Sequence, residues 1–225
     1  MQLVIFDVDG TLTDTNKVDA DCFVRAFYEE FSIFYINQNW QEYTHSTDAG
    51  ITQQIFQKNL GRLPAKEELF RLKKRFIYLL HQAAQNQNLF NAILGATSVI
   101  SKLQQLDYCI AIATGGWQDS AIFKLQKAGI NAINVPIASA DDSLSREDII
   151  ETVILRAKKW YKTDIFQKAV FIGDGLWDVK AAANLKIPFI GVGNALVNHG
   201  VQHTINDFSN YKKLQQLLIE AKPSK

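Results

Sequence analysis

Five short apolar runs recur along the chain, each too short to form a helix: Leu3–Phe6 (LVIF), Cys109–Ala113 (CIAIA), Ile133–Ile137 (INVPI), Ala169–Ile172 (AVFI) and Pro188–Val192 (PFIGV). Most are β-branched or aromatic, which suits buried strands. Helical patterns separate them. Ala96, Val99, Ile100, Leu103 and Leu106 share one face, and Ile149, Ile150, Val153, Ile154 and Ala157 share another. Gly129, after Ala128, reads as a helix stop. This alternation restricts the chain to an α/β fold, a doubly wound parallel sheet with helices on both faces.

One stretch breaks the alternation. Residues 15–89 carry helix signals and no strand pattern. Cys22, Phe23, Ala26 and Phe27 form one stripe; Ile51, Ile55, Phe56 and Leu60, ended by Gly61, form a second; Leu69, Leu72, Phe76, Leu79 and Ala83 form a third. So long a helical segment exceeds an ordinary crossover. It predicts a helical cap domain at 15–89 inserted after the first strand of a Rossmann-like catalytic core, residues 1–14 and 90–225. The linkers fall near Asp14–Lys17 and Leu89–Ala92, and a tail is expected at Lys222–Lys225.

With 225 residues, 47% of them hydrophobic, the chain can bury a sizeable core. Its formal charge of +1 supplies no field for nucleic acid or a membrane surface, so neither is an expected partner. Cys22 and Cys109 sit in unlike settings and are expected as free thiols. Met1-Gln2 leads directly into a strand with no charged leader, and no apolar run approaches the roughly 20 residues of a spanning helix. The expected location is cytoplasmic.

The first strand ends in an unusual way. In VIFDVDGTLTD (Val4–Asp14), Asp7 and Asp9 lie two residues apart, on one face if the strand continues. Like charges so close oppose each other's ionisation. The fourth run ends similarly, in GDGLWD, with Asp174 and Asp178. Ligands of open parallel sheets bind beyond the strands' carboxyl ends, so the four acids point to one site. A cation offsets their repulsion, and an all-oxygen carboxylate set suits Mg²⁺. The second run ends in Thr114-Gly115-Gly116, a hydroxyl and glycines that let backbone N–H groups approach an anion. Ser145 and Asp148 have capping-box spacing, which places Arg146 in a first helical turn, either as a solvated helix-start charge or as a fixed cation for phosphate oxygens.

These pieces, in this order, resemble the haloacid dehalogenase-like hydrolase superfamily, in its phosphoglycolate-phosphatase-like branch with a helical cap. DVDGT (Asp7–Thr11) is similar to the first motif, Thr114 to the second, Arg146 to the third and GDGLWD (Gly173–Asp178) to the fourth. Arg146 stands where lysine is commoner, the proline that often follows is absent, and Gly115-Gly116-Trp117 is an uncommon continuation. The resemblance implies that Asp7 is the nucleophile and Asp9 the general acid and base. It implies that Mg²⁺ is held by the Asp7 side chain, the Asp9 carbonyl and Asp174, with Asp178 acting through water or from behind. Thr114, the Gly115 N–H and Arg146 then cradle the phosphoryl group. Trp117 either lines the pocket or packs against the cap.

The expected activity is that of a Mg²⁺-dependent phosphatase acting on a small phosphorylated metabolite through an aspartyl-phosphate. A sugar-phosphate mutase of the same superfamily is the alternative, and a phospho-acceptor or binding protein without turnover is the alternative of a different class. The loop YTHSTDAGI (Tyr43–Ile51) is similar to the family's cap loop that faces the core. His45, Ser46, Thr47 and Asp48 are its candidates for substrate contact, with a plain N-cap at Ser46 or Thr47 as the other possibility. The sequence leaves the substrate and the oligomeric state open.

Overall fold

The computed structural model describes residues 1–85 and 87–223. The strands are β1 (Gln2–Phe6), β2 (Thr13–Asp14), β3 (Asn91–Ala92), β4 (Tyr108–Ala113), β5 (Ile137–Ala138), β6 (Lys168–Gly173), β7 (Phe189–Val192) and β8 (Thr204–Ile205). The helices are α1 (Asn16–Phe31), α2 (Asp48–Leu60), α3 (Lys66–Ala83), α4 (Ala96–Gln104), α5 (Gln118–Lys127), α6 (Arg146–Trp160), α7 (Leu176–Asn184) and α8 (Tyr211–Glu220).

Strand β1 explains why helices cover both faces. Alternate side chains of a strand point to opposite sides. Val4 and Phe6 pack with Val99 and Ile100 of α4, Leu125 of α5 and Leu214 of α8. Leu3 and Ile5 pack the other way, with Ile149 and Val153 of α6 and Ala181 of α7. The six-stranded sheet has the order β5-β4-β1-β6-β7-β8, with every pairing parallel. The chain moves from β1 outward to β4 and β5, then returns to β6 on the other side of β1. Phe6 is level with Ile112 of β4 and Ile172 of β6, so the three strands end together. Asp7, Thr114 and Asp174 therefore emerge along one edge, at the point where the strand order reverses.

Helices α1–α3 form a third hydrophobic cluster. The three predicted stripes meet through Phe23, Phe27, Ile55, Phe56, Leu72 and Phe76, with Phe23 edge-on to Phe76 at 5.7 Å. The same cluster takes in Phe90, Trp117, Phe123 and Ala140 from beyond the insert. The two chain crossings are tied to each other, since β2 and β3 pair antiparallel, Thr13 with Ala92 and Asp14 with Asn91.

Some elements differ from the sequence pattern. Of INVPI only Ile137 is in a strand, β5, and Ile133 is 83% exposed. Pro136 has no N–H to give a ladder, which suits only a sheet edge. Leu60, the last residue of α2, and Leu106, two residues beyond α4, are placed on buried stripes by spacing but are exposed. Strand β8 and the β2–β3 ribbon are two residues long per strand, too short for any periodicity. Both cysteines are free. No helix among the described residues is long and apolar enough to cross a membrane. Of the expected tail, Ser224 and Lys225 lie outside the described residues, as does Asn86 within the expected insert.

Candidate active site

Strand β1 delivers Asp7 to the sheet edge almost fully buried, at 2% exposure. The chain then folds back tightly, and the N–H groups of Thr11, Leu12 and Thr13 all donate to the Val8 carbonyl at 3.2, 2.9 and 3.0 Å. The turn needs Gly10, whose φ is +76° and whose missing Cβ would come 1.9 Å from Asp174 Oδ2. The first loop can thus lie directly against the loop after β6. One carboxylate oxygen each from Asp7, Asp174 and Asp178 lies within 4.8 Å of the others. Asp178, in the first turn of α7, is anchored by the Gly175 N–H at 3.1 Å. Asp174 Oδ2 accepts from Asn16 Nδ2 at 3.1 Å, while its Oδ1 is buried with no partner.

Crowding acids in a buried crevice disfavours their charged forms. Burial raises Asp7 well above the usual carboxylate range; Arg146 opposes this, and Asp178, Asp174 and Asp9 add to it. Asp174 is pushed up to about 7 by burial and by Asp178. Burial raises Asp178 as well, against the pull of Arg146. Three converging carboxylate oxygens and one orphaned buried oxygen fit a hard divalent cation that takes oxygen ligands.

Arg146 starts α6, whose N-cap is Ser145, accepting the Asp148 N–H at 3.1 Å. The return half of a capping box is absent, because Asp148 accepts from Ser143 instead. From this first turn the guanidinium reaches the strand ends. Nη1 donates to Asp7 Oδ1 at 2.9 Å and to Asp178 Oδ1 at 2.8 Å, and the group lies over the Trp177 ring. Burial opposes its charge, but Asp178 and Asp7 more than offset that and hold it protonated. Its Nη2 has no hydrogen-bond partner among the described residues and faces Gly115, where an added Cβ would stand 2.5 Å away. Thr114 is buried, its hydroxyl accepts the Gly116 N–H at 3.1 Å, and it lines the same cavity as Gly115 and Gly116.

That cavity, about 240 Å³, lies between the strand ends and helices α1 and α2. Ser46, Thr47 and Asp48 line it, whereas His45 faces a neighbouring groove with Lys180 and Glu147. The loop is fastened to the core. Asp48 N–H donates to the Gly115 carbonyl at 2.8 Å, Thr47 Oγ1 to the Leu144 carbonyl at 2.8 Å, and Arg146 Nε to the Ser46 carbonyl at 3.3 Å. In return Asp48 Oδ2 accepts the Trp117 N–H at 2.9 Å. Thr47 is also the N-cap of α2, accepting the Gly50 N–H at 3.1 Å. Trp117 takes the second of its two expected places, packed against Phe23 and Phe76.

Two residues of this site lay outside the motif reading. Lys124 of α5 is fully buried and donates to Asp9 Oδ2 at 2.5 Å and to Asp19 Oδ1 of α1. Asp9 Oδ1 takes the Thr15 hydroxyl at 2.6 Å, so both oxygens of Asp9 are held. Burial opposes the Lys124 charge, yet Asp19, Asp9 and Asp48 hold it firmly protonated, while burial pushes Asp19 up to about 6. A signal was present. Lys124 lies on the same helix face as Ala121, Leu125 and Ala128, and Asp19 on that of Cys22, Phe23 and Ala26, each an ionisable group on an apolar stripe.

Comparison with known proteins places this geometry. A phosphoglycolate phosphatase of Agrobacterium fabrum is 25% identical over 193 residues, 84% of this chain and 79% of that protein. The structure of a hydrolase from Pseudomonas syringae aligns with a TM-score of 0.73 at 22% identity, covering 96% of this chain and 99% of that one. A β-phosphoglucomutase from Clostridium difficile aligns at 0.69 and 16% identity, covering 97% of each chain. Residues 4–192 match the haloacid dehalogenase-like hydrolase family, to which this chain therefore belongs.

Proposed function

We propose that the chain is a Mg²⁺-dependent phosphatase that hydrolyses a small phosphomonoester through an aspartyl-phosphate on Asp7. The observation that carries this is the convergence of the Asp174 and Asp178 carboxylates, with the orphaned Asp174 oxygen, on Asp7, which itself lines the cavity together with Thr114, Gly115 and Arg146. Asp7, the Asp9 carbonyl and Asp174 would hold Mg²⁺, with Asp178 behind them. When bound, the ion supplies the positive charge that keeps Asp7 ionised and neutralises phosphoryl oxygens.

The chain's own residues supply the rest. The Asp7 carboxylate attacks phosphorus, and the ester oxygen departs as an alcohol with a proton from Asp9. Asp9 then takes a proton from water, whose oxygen attacks the acyl phosphate and releases phosphate and free Asp7. Thr114, the backbone of Gly115 and Nη2 of Arg146 hold the phosphoryl oxygens, and the loop at 46–48 excludes bulk water. A mutase would pass through a bisphosphate, and Arg146 is the only basic residue lining the cavity among the described residues, so hydrolysis is favoured.

Asp7→Asn should abolish turnover while circular dichroism stays unchanged, and a beryllium or aluminium fluoride mimic should bind on Asp7 in the parent protein. Most of the activity surviving in Asp7→Asn would remove the nucleophile assignment.

A further inference from the structure

The cavity has two chemically different ends. One holds Asp7, Thr114, Gly115 and Arg146; the other is the wall made by Asp19, Ala20 and Phe23 of α1, by Trp40, and by Asp48 and Ile51 of α2. In a phosphatase the first end takes the phosphoryl group and the second meets the leaving alcohol. Arg146 is engaged with Asp7 and Asp178 at the first end. Lys124 touches Asp9 and Asp19 but is fully buried behind them and does not line the cavity. Among the described residues, the wall therefore offers the leaving group no positive charge.

It offers acceptors instead. Asp48 is 8% exposed; its Oδ2 is used by the Trp117 N–H, and its Oδ1 has no hydrogen-bond partner among the described residues. Asp19 is bonded to Lys124 through Oδ1, and its Oδ2 likewise has no partner. Burial raises Asp48 well above the carboxylate range, and even when protonated it supplies no cation. A carboxylate or second phosphate in the leaving group would be desolvated against this wall with no cation to pair it, beside the Asp19 carboxylate, and an unpaired buried charge is strongly unfavourable. Hydroxyl or ammonium hydrogens would instead meet the unpartnered oxygens of Asp19 and Asp48, with Phe23 and Trp40 covering the carbon chain. The cavity of about 240 Å³ leaves room beside a phosphoryl group for a small alcohol.

We infer that the substrate is a phosphate ester of a small alcohol that bears hydroxyl or amino groups and no negative charge. This rests on the phosphatase reading above. The test uses three esters of nearly equal size with the full chain and Mg²⁺ at neutral pH: hydroxyethyl phosphate, phosphoethanolamine and phosphoglycolate, with p-nitrophenyl phosphate as reference. The hydroxyl and amino esters should exceed phosphoglycolate in kcat/KM by about tenfold or more, a modest 1.4 kcal/mol of discrimination. Ala20→Lys, which adds an ammonium to the wall, should raise phosphoglycolate relative to hydroxyethyl phosphate by a similar factor. Turnover of the aryl ester with phosphoglycolate equal or preferred overturns this inference alone, as does an unchanged ratio in Ala20→Lys. No turnover of any of the four esters overturns the phosphatase reading, and the inference with it.

Discussion

Asp9 is the residue on which the chemistry turns, and both of its oxygens are already held, by Lys124 and by Thr15. Lys124 is thus a positioning residue for the group that must face the leaving oxygen. An alkoxide needs a proton to depart, whereas p-nitrophenolate leaves nearly unaided, and general acid help is typically worth about 10²–10⁴-fold. Asp9→Asn should therefore slow phosphoenzyme formation far more for an alkyl than for an aryl phosphate in single turnover. Lys124→Met should shift the same ratio in the same direction. It should also lower Tm, because removing one partner of a buried pair costs about 3–5 kcal/mol. A lower Tm with an unchanged alkyl-to-aryl ratio would leave Lys124 a purely structural role. Asp7, Asp9, Asp174 and Asp178 were legible in the sequence because each follows a strand within a few residues. The Lys124–Asp9 contact was not, because it joins two elements 115 residues apart through the register of α5 on the sheet.

At the scale of elements, the long apolar stripes were legible for the same local reason. The three stripes of the insert and the α4 and α6 faces are buried or half-buried as spacing suggests, except at Leu60 and Leu106. Short pieces were not, because β8 and the β2–β3 ribbon exist through pairing with distant chain, and of INVPI only Ile137 pairs in the sheet, while Ile133 and Val135 line a separate cavity of about 370 Å³. How the insert joins the core was also hidden. Thr47 serves as helix cap and as tether to Leu144, a double role no local pattern announces. Thr47→Val keeps shape and removes both bonds. With a cap worth about 1 kcal/mol and a further hydrogen bond about 1 kcal/mol, the urea midpoint should fall by the equivalent of about 2 kcal/mol. The β2–β3 crossings should then be cleaved faster by protease, and a bound phosphate mimic should restore part of the protection. An unchanged midpoint would show that the two Thr47 bonds contribute nothing to stability and that the remaining contacts hold these helices in place.

Over the whole molecule the charge is nearly balanced at +1, yet around the cavity and its metal-fitting edge Asp7, Asp9, Asp19, Asp48, Asp174 and Asp178 face, among the described residues, only Arg146 and Lys124. This imbalance should make stability depend on pH in an unusual direction. Asp174 titrates near 7 and Asp19 near 6 when folded, and Asp7, Asp48 and Asp178 are raised as well, against about 3.9 in the unfolded chain. Between about pH 4 and pH 7 the native state therefore binds more protons than the unfolded state, so stability declines as pH rises through that window. Glu68, held down to about 2 by Arg62, and Asp207, held low by Ser209, act with the opposite sign but at lower pH. With chelator present, Tm should fall from pH 5 to pH 8. Mg²⁺ needs the deprotonated carboxylates, so it should add little at pH 5 and much at pH 8, where a concentration of about 100 Kd contributes about 2.7 kcal/mol. Asp174→Asn should flatten the decline in chelator and remove most of the Mg²⁺ response. A Tm that rises with pH in chelator would mean that Arg146 and Lys124 already balance these acids, and a Mg²⁺ shift equal at both pH values would mean that they are not the ion's ligands.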